Sequence, residues 1–415
     1  MLLDNLTSFF IFNSISNSSI QRKSKELIKI FLGILVDLLF FPVLLIFCLV
    51  IRIFKTNSKD RIFIGCFPNN NYVNISKALR SKGFKVSLIP IFIPEHEIDI
   101  IKYDMNLQQK YSWLYNNWLG HKLICYGLFI WVTKNFDIVI MPFINRLLDR
   151  MPLNQWYEFQ LLKLSGTYII LNPYAADIYT PDFCDNENVT LIRNAYNENI
   201  YYKSINQLYI LRTRHYGERH AHKIIAALDL VDYLKRVDHL LQMRCVDTSE
   251  IKPLHSGKKN VPIKVLHAPN HRKLKGTDQL IEAVRKINRN KNLVDLIIVE
   301  KTSNKKLMKI LQTVDLVADQ FFIGAYGRLA IEAMAYGKPV MCYLREDLKK
   351  LYPHWQHCPI INTSVGNIEK DLRMFLNMKS EEVKELGIKS RSFIQSYHSL
   401  EFIGNKMSKI IKELH

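Results

Sequence analysis

"IKVLHAPNHRKLKGTDQLIEAVRKINRNKNLVDLIIVE", Ile263 to Glu300, decides the fold. It opens on a short apolar run, "IKVLHAP" (263–269), passes through a basic loop, and continues as "TDQLIEAVRKINRN" (277–290), whose apolar residues recur at helical spacing. A second apolar run, "VDLIIVE" (294–300), follows at once. Strands joined through a helix pair in parallel, and a parallel sheet is covered on both faces.

The pattern extends in both directions. Downstream come a helix "NKKLMKILQTV" (304–314), a strand "DLVADQF" (315–321), a helix within "GRLAIEAMAYGKPV" (327–340), a strand "PVMCYL" (339–344) and a long helical region. Upstream, "RIFIGCFPNNNYVNISKALRSKGFKVSLIPI" (61–91) reads as strand, Gly/Pro/Asn loop, amphipathic helix ending at Gly83, and strand. Further strands are read at "FDIVIMPF" (136–143), "TYIILNPY" (167–174) and "VTLIRNAY" (189–196). At 415 residues the chain exceeds what one core usually organises. The polar, strand-poor stretch "CVDTSEIKPLHSGKKNVP" (245–262) separates two α/β halves, each a Rossmann-like doubly wound domain. The expected organisation is a polar leader over 1–26, a membrane anchor over 27–58, an N-terminal domain over 59–245 and a linker over 246–260. A C-terminal domain follows over 261–390, and a helix over 391–415 is expected to pack back toward the N-terminal domain.

Lys and Arg number 57 against 38 acids, a net charge of +19. That balance points to anionic partners, whether nucleic acid, a lipid surface or phosphate-bearing small molecules. The seven cysteines form no C-x-x-C pair and are odd in number, which argues against a disulfide framework or a zinc ribbon and fits a reducing cytosol. One segment breaks the soluble pattern. "IFLGILVDLLFFPVLLIFCLVI", Ile30 to Ile51, carries a single charge, Asp37, and as a helix is about 33 Å long, enough to cross a bilayer. It starts too far in, and is too long, for an ordinary cleaved signal. Arg22, Lys23, Lys25 and Lys29 precede it and Arg52, Lys55, Lys59 and Arg61 follow, so both ends are drawn to the cytoplasmic side. Pro42 removes a backbone hydrogen bond near its middle. A single span and a re-entrant hairpin both satisfy these features, and a buried soluble helix is the third reading.

The loop "HAPNHRKLKGTD" (267–278) places Arg272 and Lys275 after a strand, and Gly276 before a helix with Thr277 as its cap. Ligands of such sheets bind beyond the carboxyl ends of the strands, against helix N-termini, where Arg grips phosphate as a fork and Lys as a point charge. In "FIGAYGRLAIEAMAYGKPV", Gly324 and Gly327 mark a strand-to-helix turn where backbone N–H groups can approach phosphate closely. Gly337 ends the helix. Glu332 is a lone acid among apolar helix formers, either an exposed helix-face residue or a carboxylate that reaches the ligand and accepts hydroxyl hydrogen bonds.

"KGTDQLIEAV", followed some fifty residues later by "GAYGRLAIEAMAYGKPV", resembles the nucleotide-sugar-binding half of GT-B fold, retaining glycosyltransferases of the family 4 type (glycosyl transferases group 1). The resemblance covers about Val261 to His398. It implies a GT-B architecture of two Rossmann-like domains in tandem. It further implies that Arg272 and Lys275 hold the donor diphosphate and act in catalysis, with Gly276, Gly324, Gly327 and Arg328 lining the donor site and Glu332 on the ribose hydroxyls. Neither a cofactor nor a metal is expected, the nucleotide sugar being a substrate. Two departures stand out. Relatives commonly carry two glutamates eight positions apart, and the first falls at Gly324, so Asp319 or Gln320 is left to supply its contact with the sugar. The family's Arg often lies five residues before its Lys, whereas Arg272 lies three before Lys275.

The upstream half is similar only in outline, through Gly65, Pro68 and Asn69 and the segment "LLKLSGTYIILNPYAADIYTP" (161–181). In GT-B proteins this half takes the acceptor, which makes Asn69, Asn70, His121 and Asp177 candidates for the acceptor cleft. Their plainer roles are a turn cap for Asp177 and an ordinary half-buried ring for His121. The histidines of "RHYGERHAHK" (214–223) lack a familiar metal spacing, and "EHEID" (95–99) reads as a solvated acidic loop. With the anchor, the resemblance implies a membrane-bound enzyme, catalytic domains on the cytoplasmic side, acting on a lipid-linked or other saccharide acceptor. A non-catalytic membrane recruitment protein is the rival reading. A nucleic-acid binder rests on charge alone, with no recognition module, and nucleic acid is not expected as a partner.

Overall fold

The apolar runs form two parallel sheets in a computed structural model that describes residues 20–56, 58–68, 70–93, 103–180, 188–198, 207–254 and 261–414. The chain divides into two units. Unit 1 extends to Thr180, resumes from 207 to Leu241, and takes in the chain again from Gly404; unit 2 holds the helix Val189–Glu198 and Gln242–Ile403.

Unit 1 contains strands β1 (Arg61–Cys66), β2 (Lys85–Pro90), β3 (Ile138–Met141), β4 (Tyr168–Leu171), β5 (Lys223–Ala226) and β6 (His239–Leu240), ordered β2-β1-β3-β4-β5-β6. All pairings are parallel, with Ile62 opposite both Val86 and Ile138. Phe63, Ile64, Val139, Ile140, Ile169 and Ile170 are wholly buried. Continuous rather than alternating burial is what a sheet covered on both faces requires. Helices α1 (Ile20–Phe54), α2 (Asn70–Arg80), α3 (Trp118–Asn135), α4 (Glu158–Leu164) and α5 (Gln207–His220) accompany this sheet.

The apolar segment is one continuous helix through Pro42, so the re-entrant hairpin is not formed. One stripe of α1 is buried, at Ile30, Gly33, Asp37, Leu44 and Cys48, spaced three, four or seven residues apart. Asp37 is fully buried and accepts from Tyr126 Oη (2.7 Å) and the backbone N–H groups of Leu153 (2.7 Å) and Asn154 (3.1 Å). Phe40 stacks on Tyr126 with centroids 4.3 Å apart. After β3 the chain turns on a second buried acid. Glu158 accepts from the N–H groups of Leu147 (3.0 Å) and Leu148 (3.2 Å) and pairs with Arg146 at 3.3 Å, both side chains being fully buried.

Unit 2 contains β7 (Ile263–His267), β8 (Val294–Ile298), β9 (Leu316–Ala318), β10 (Val340–Cys342) and β11 (Ile361–Asn362), ordered β11-β10-β9-β7-β8 and parallel throughout. Its helices include α6 (Thr277–Ile287), α7 (Asn304–Gln312), α8 (Arg328–Ala335), α9 (Ile368–Asn377) and α10 (Ser380–Tyr397). A last helix, α11 (Leu400–Lys412), belongs to unit 1 from Gly404 onward. There a Cβ at Gly404 would lie 2.7 Å from the Ala78 carbonyl, and Glu413 meets His239 at 3.3 Å. The stretch "VTLIRNAY", expected as a strand, is helical instead: Ile192, Ala195 and Tyr196 are buried at three-to-four spacing, a helix period.

His398 closes the unit 2 core. Its Nδ1–H donates to the Arg244 carbonyl (2.9 Å), so Nε2 accepts from Tyr326 Oη (2.8 Å). Burial pushes this imidazole down to about 4. An unfolded His titrates near ~6.5, so between those values the unfolded state binds the extra proton and stability falls as pH falls. We expect His398 to withdraw up to about 3 kcal/mol of stability between pH 6.5 and 4. Denaturant titrations across that window should show His398→Leu losing one proton of pH dependence relative to the unmodified chain.

Candidate functional site

In unit 2 the strand order reverses between β7 and β9, and the carboxyl ends of those two strands flank the crevice where open α/β sheets bind ligands. His267 ends β7 and is fully buried. The Ala318 carbonyl at the end of β9 can only accept, so His267 donates to it through Nδ1 (2.8 Å), and Nε2 accepts from Thr277 Oγ1 (2.8 Å). Burial lowers the pKa of this ring. Thr277 is therefore the first residue of α6 rather than its cap: Gly276 caps it, at φ +73°. A Cβ there would lie 3.2 Å from both the Phe321 Cβ and the Phe322 ring, so close packing and the left-handed backbone both call for glycine.

Lys275 closes the single helical turn Arg272–Lys275. Its ammonium donates to Gln320 Oε1 and lies 3.9 Å from Asp319 Oδ1. The other Asp319 oxygen accepts the Gly327 N–H at 2.5 Å, and Gly327 caps the N-terminus of α8. A lysine cation, a helix N-terminus and a capping backbone N–H thus converge on one nearly buried carboxylate. Each favours negative charge, through Coulomb attraction, the helix dipole and hydrogen bonding respectively. Asp319 and Gln320, suggested by sequence as substitutes for the missing glutamate, are both engaged with the lysine.

Glu332 is buried, not an exposed helix-face residue. Its Oε1 accepts from Arg328 Nε (2.8 Å) and Asn304 Nδ2 (3.4 Å). Arg272 stands apart from Lys275. Its exposed guanidinium forks onto Glu300 at the end of the β8 segment, at 2.9 and 2.7 Å, a bidentate pair that raises its pKa. Gly324 adopts φ +86°, and a Cβ there would fall 2.4 Å from Arg345 Cγ. Arg345 in turn donates its N–H to the Gly324 carbonyl (2.9 Å) and pairs with Asp347 (2.6 Å). A glutamate at this position would therefore carry both backbone strain and a clash with Arg345.

In unit 1 the order reverses between β1 and β3. A cavity of about 60 Å³ near their carboxyl ends is lined by Phe67, Pro68, Arg146 and Arg150 among others. His121 borders it, with Nε2 3.4 Å from Arg150, and burial together with Arg150 holds that ring down at about 4. Asp177 does not reach it. Fully buried, Asp177 accepts from the N–H groups of Phe143 (2.9 Å) and Tyr174 (3.0 Å) and holds the β3 and β4 loops together. Asn69, the Asn70 side chain and "EHEID" lie outside the described residues. In the histidine-rich stretch, His222 Nδ1 accepts the Ile169 N–H at 2.9 Å and serves the sheet. Sequence reasoning missed the Asp319–Gly327 bond and Asn304. A polar Asp-Gln pair directly after the buried "LVA" of β9 was the available signal for the first.

No protein-family model matches the chain, and no curated protein does. Solved structures do. Sucrose-phosphate synthase from Thermosynechococcus elongatus aligns over 86% of this chain and 99% of its own, at 13% identity and TM-score 0.57. A glycosyltransferase from Rickettsia africae aligns over 86% and 99%, at 16% identity and TM-score 0.51. Anabaena HepE, solved in complex with UDP and glucose, aligns over 86% and 100%, at 13% identity and TM-score 0.50. The likeness shows a GT-B fold, two Rossmann-like domains in tandem; the N-terminal apolar helix is a feature of this chain's own structure.

Gly324→Glu should cost about 1–3 kcal/mol through its backbone and the Arg345 clash. Gly324→Ala should cost nearly as much, since both carry a Cβ. Thermal unfolding of the two variants beside the unmodified chain measures this.

Proposed function

We propose that the chain is a retaining glycosyltransferase of the family 4 type. It moves a sugar from a nucleotide-diphosphate sugar to a lipid-linked saccharide at the cytoplasmic face of a cell membrane, in surface-glycan assembly. The convergence of Lys275 and the Gly327 N–H at the head of α8, on the β7/β9 switch point, carries this reading. Breaking the anomeric C–O bond leaves negative charge on the departing diphosphate. A fixed ammonium and a helix N-terminus stabilise that charge more in the transition state than in the ground state, most effectively where water is excluded. Lys275 serves this role, Gly276 and Gly327 allow close backbone approach, and Glu332, steadied by Arg328, accepts from ribose hydroxyls. Arg272 contributes at the rim after release from Glu300. HepE, of the same fold, was solved with UDP and glucose, which supports a nucleotide-sugar donor here.

The acceptor class rests on α1, whose apolar face calls for lipid and whose flanking cations suit anionic headgroups and lipid pyrophosphates. A second reading, a non-catalytic recruitment protein, is favoured by one observation: Lys275 already has partners in Asp319 and Gln320.

The purified chain, offered a panel of nucleotide sugars with and without membrane extract, should release one nucleotide in an extract-dependent manner. Lys275→Ala should lower that turnover at least about a hundredfold, the scale of removing one charge-stabilising donor, and should also lower the melting temperature, because the buried Asp319 loses its cation. Turnover is therefore compared on protein kept below that lowered melting point. Glu332→Gln should weaken nucleotide binding with a smaller effect on turnover. Glycan assembly that persists in cells carrying Lys275→Ala, with nucleotide binding abolished, would establish the recruitment role instead.

A further inference from the structure

The way α1 meets unit 1 bears on how this protein holds a membrane. Its inward stripe stays on the same folded unit over about 37 Å, from Ile30 to Lys55. A Cβ at Gly33 would lie 3.0 Å from Pro152, Asp37 is bound by the Leu153 and Asn154 N–H groups, and Phe40 stacks on Tyr126. Phe41 meets Tyr157 with centroids 5.1 Å apart. At the far end Lys55 donates to the Thr133 carbonyl (2.9 Å) and Thr167 Oγ1 (2.6 Å). The opposite face is bare and apolar along its length: Phe31 is 62% exposed, Leu39 73%, Ile46 62% and Ile53 77%.

We propose that α1 lies in the plane of one membrane leaflet, its outer face in the acyl boundary and its Asp37 stripe fastened to unit 1, and does not cross the bilayer. The proposal rests on the membrane association inferred above and specifies its geometry. Crossing a ~30 Å hydrocarbon core would require one of two costly events. The stripe could peel off unit 1, leaving Asp37 in lipid and the Leu153 and Asn154 N–H groups without their acceptor, which burial of unpaired polar groups in hydrocarbon strongly opposes. Alternatively, α3, α4 and the loops of the sheet would have to enter the core with it, where irregular backbone facing lipid is not tolerated. In-plane docking avoids both, and the unbroken helix through Pro42 leaves no hairpin turn.

The occupant of the outer face follows from its chemistry. Between Ile30 and Ile51 the one charged residue is Asp37, and it points inward. A protein partner's interface carries a polar rim around its apolar centre, whereas this face offers side-chain charge only at its ends, where Lys29 and Arg52 are exposed. Apolar along its length and cationic at both ends, it matches a leaflet with anionic headgroups.

The full chain would be added to sealed vesicles of phosphatidylglycerol and phosphatidylcholine, with single cysteines introduced at Leu27, Phe31, Leu39, Ile53 or Phe54. Labelled peptides would be identified by mass, so that the native cysteines do not interfere. Leu27→Cys and Phe54→Cys should both react with an impermeant maleimide supplied outside. Nitroxides at Phe31→Cys, Leu39→Cys and Ile53→Cys should share one shallow depth, about 5–10 Å below the headgroups. One helix end protected until the vesicles are lysed would overturn the proposal in favour of a span. Leu39→Cys lying far deeper than both flanks would overturn it in favour of a re-entrant anchor. Failure to float with vesicles, together with self-association in dilute detergent, would assign the face to a second copy. Sugar transfer assayed in detergent is scored separately, so the geometry can fail while the enzymatic reading stands, and the reverse.

Discussion

Asp319 is the residue on which the unit 2 site depends. Its carboxylate takes the Gly327 N–H that opens α8 and lies 3.9 Å from the Lys275 ammonium, so one side chain joins the ends of β7 and β9 to a helix N-terminus. A carboxylate is a costly group to bury, and it is held there by the features that attract phosphate. Those donors are already engaged by Asp319, so in the proposed reaction a diphosphate would have to draw Lys275 and the Gly327 N–H away from that carboxylate.

The same device recurs through the chain. Asp37 accepts from Leu153 and Asn154, Glu158 from Leu147 and Leu148, Asp177 from Phe143 and Tyr174, and Asp315 from Lys264, each through backbone N–H groups. In a chain with 19 more cations than acids, these buried acids are spent on loops at strand and helix ends, where backbone donors have no partner in regular structure. Asp37 is the most consequential of them, because it is the one charged residue between Ile30 and Ile51 and ties that apolar stretch of α1 to the Leu153 and Asn154 backbone. An excess of cations over acids and a set of inward acids are two sides of one arrangement, in which part of the negative charge is turned inward to organise the backbone.

Parallel strands, covered sheets and the glycine turns were legible in the sequence, since buried parallel strands read as unbroken apolar runs and left-handed turns as glycine. The two motifs around Lys275 and Gly327 likewise pointed to one site. Where reading failed, two competing signals were present. "VTLIRNAY" carries both β-branched residues and a helical apolar period, and the period prevailed. For Asp177 the sequence left two roles open, acceptor cleft or turn cap, and its bonds to the Phe143 and Tyr174 N–H groups match the second, because polar residues near strand ends serve either backbone or ligand and only geometry separates the two. Arg272 matched in type but lay two residues nearer its lysine than the family's Arg often does, and Glu300, 28 residues away, takes its fork.

By itself the sequence determined the two doubly wound units, the presence of a long apolar helix and the neighbourhood of the candidate site, because each follows from local periodicity and turn chemistry. Only the tertiary structure decided what Asp37, Asp319 and Glu332 hold, why a side chain at Gly324 is costly, and which face of the apolar helix is exposed. These depend on partners brought near from distant parts of the chain, Asn154 for Asp37 and Arg345 for Gly324, and no local pattern records such encounters.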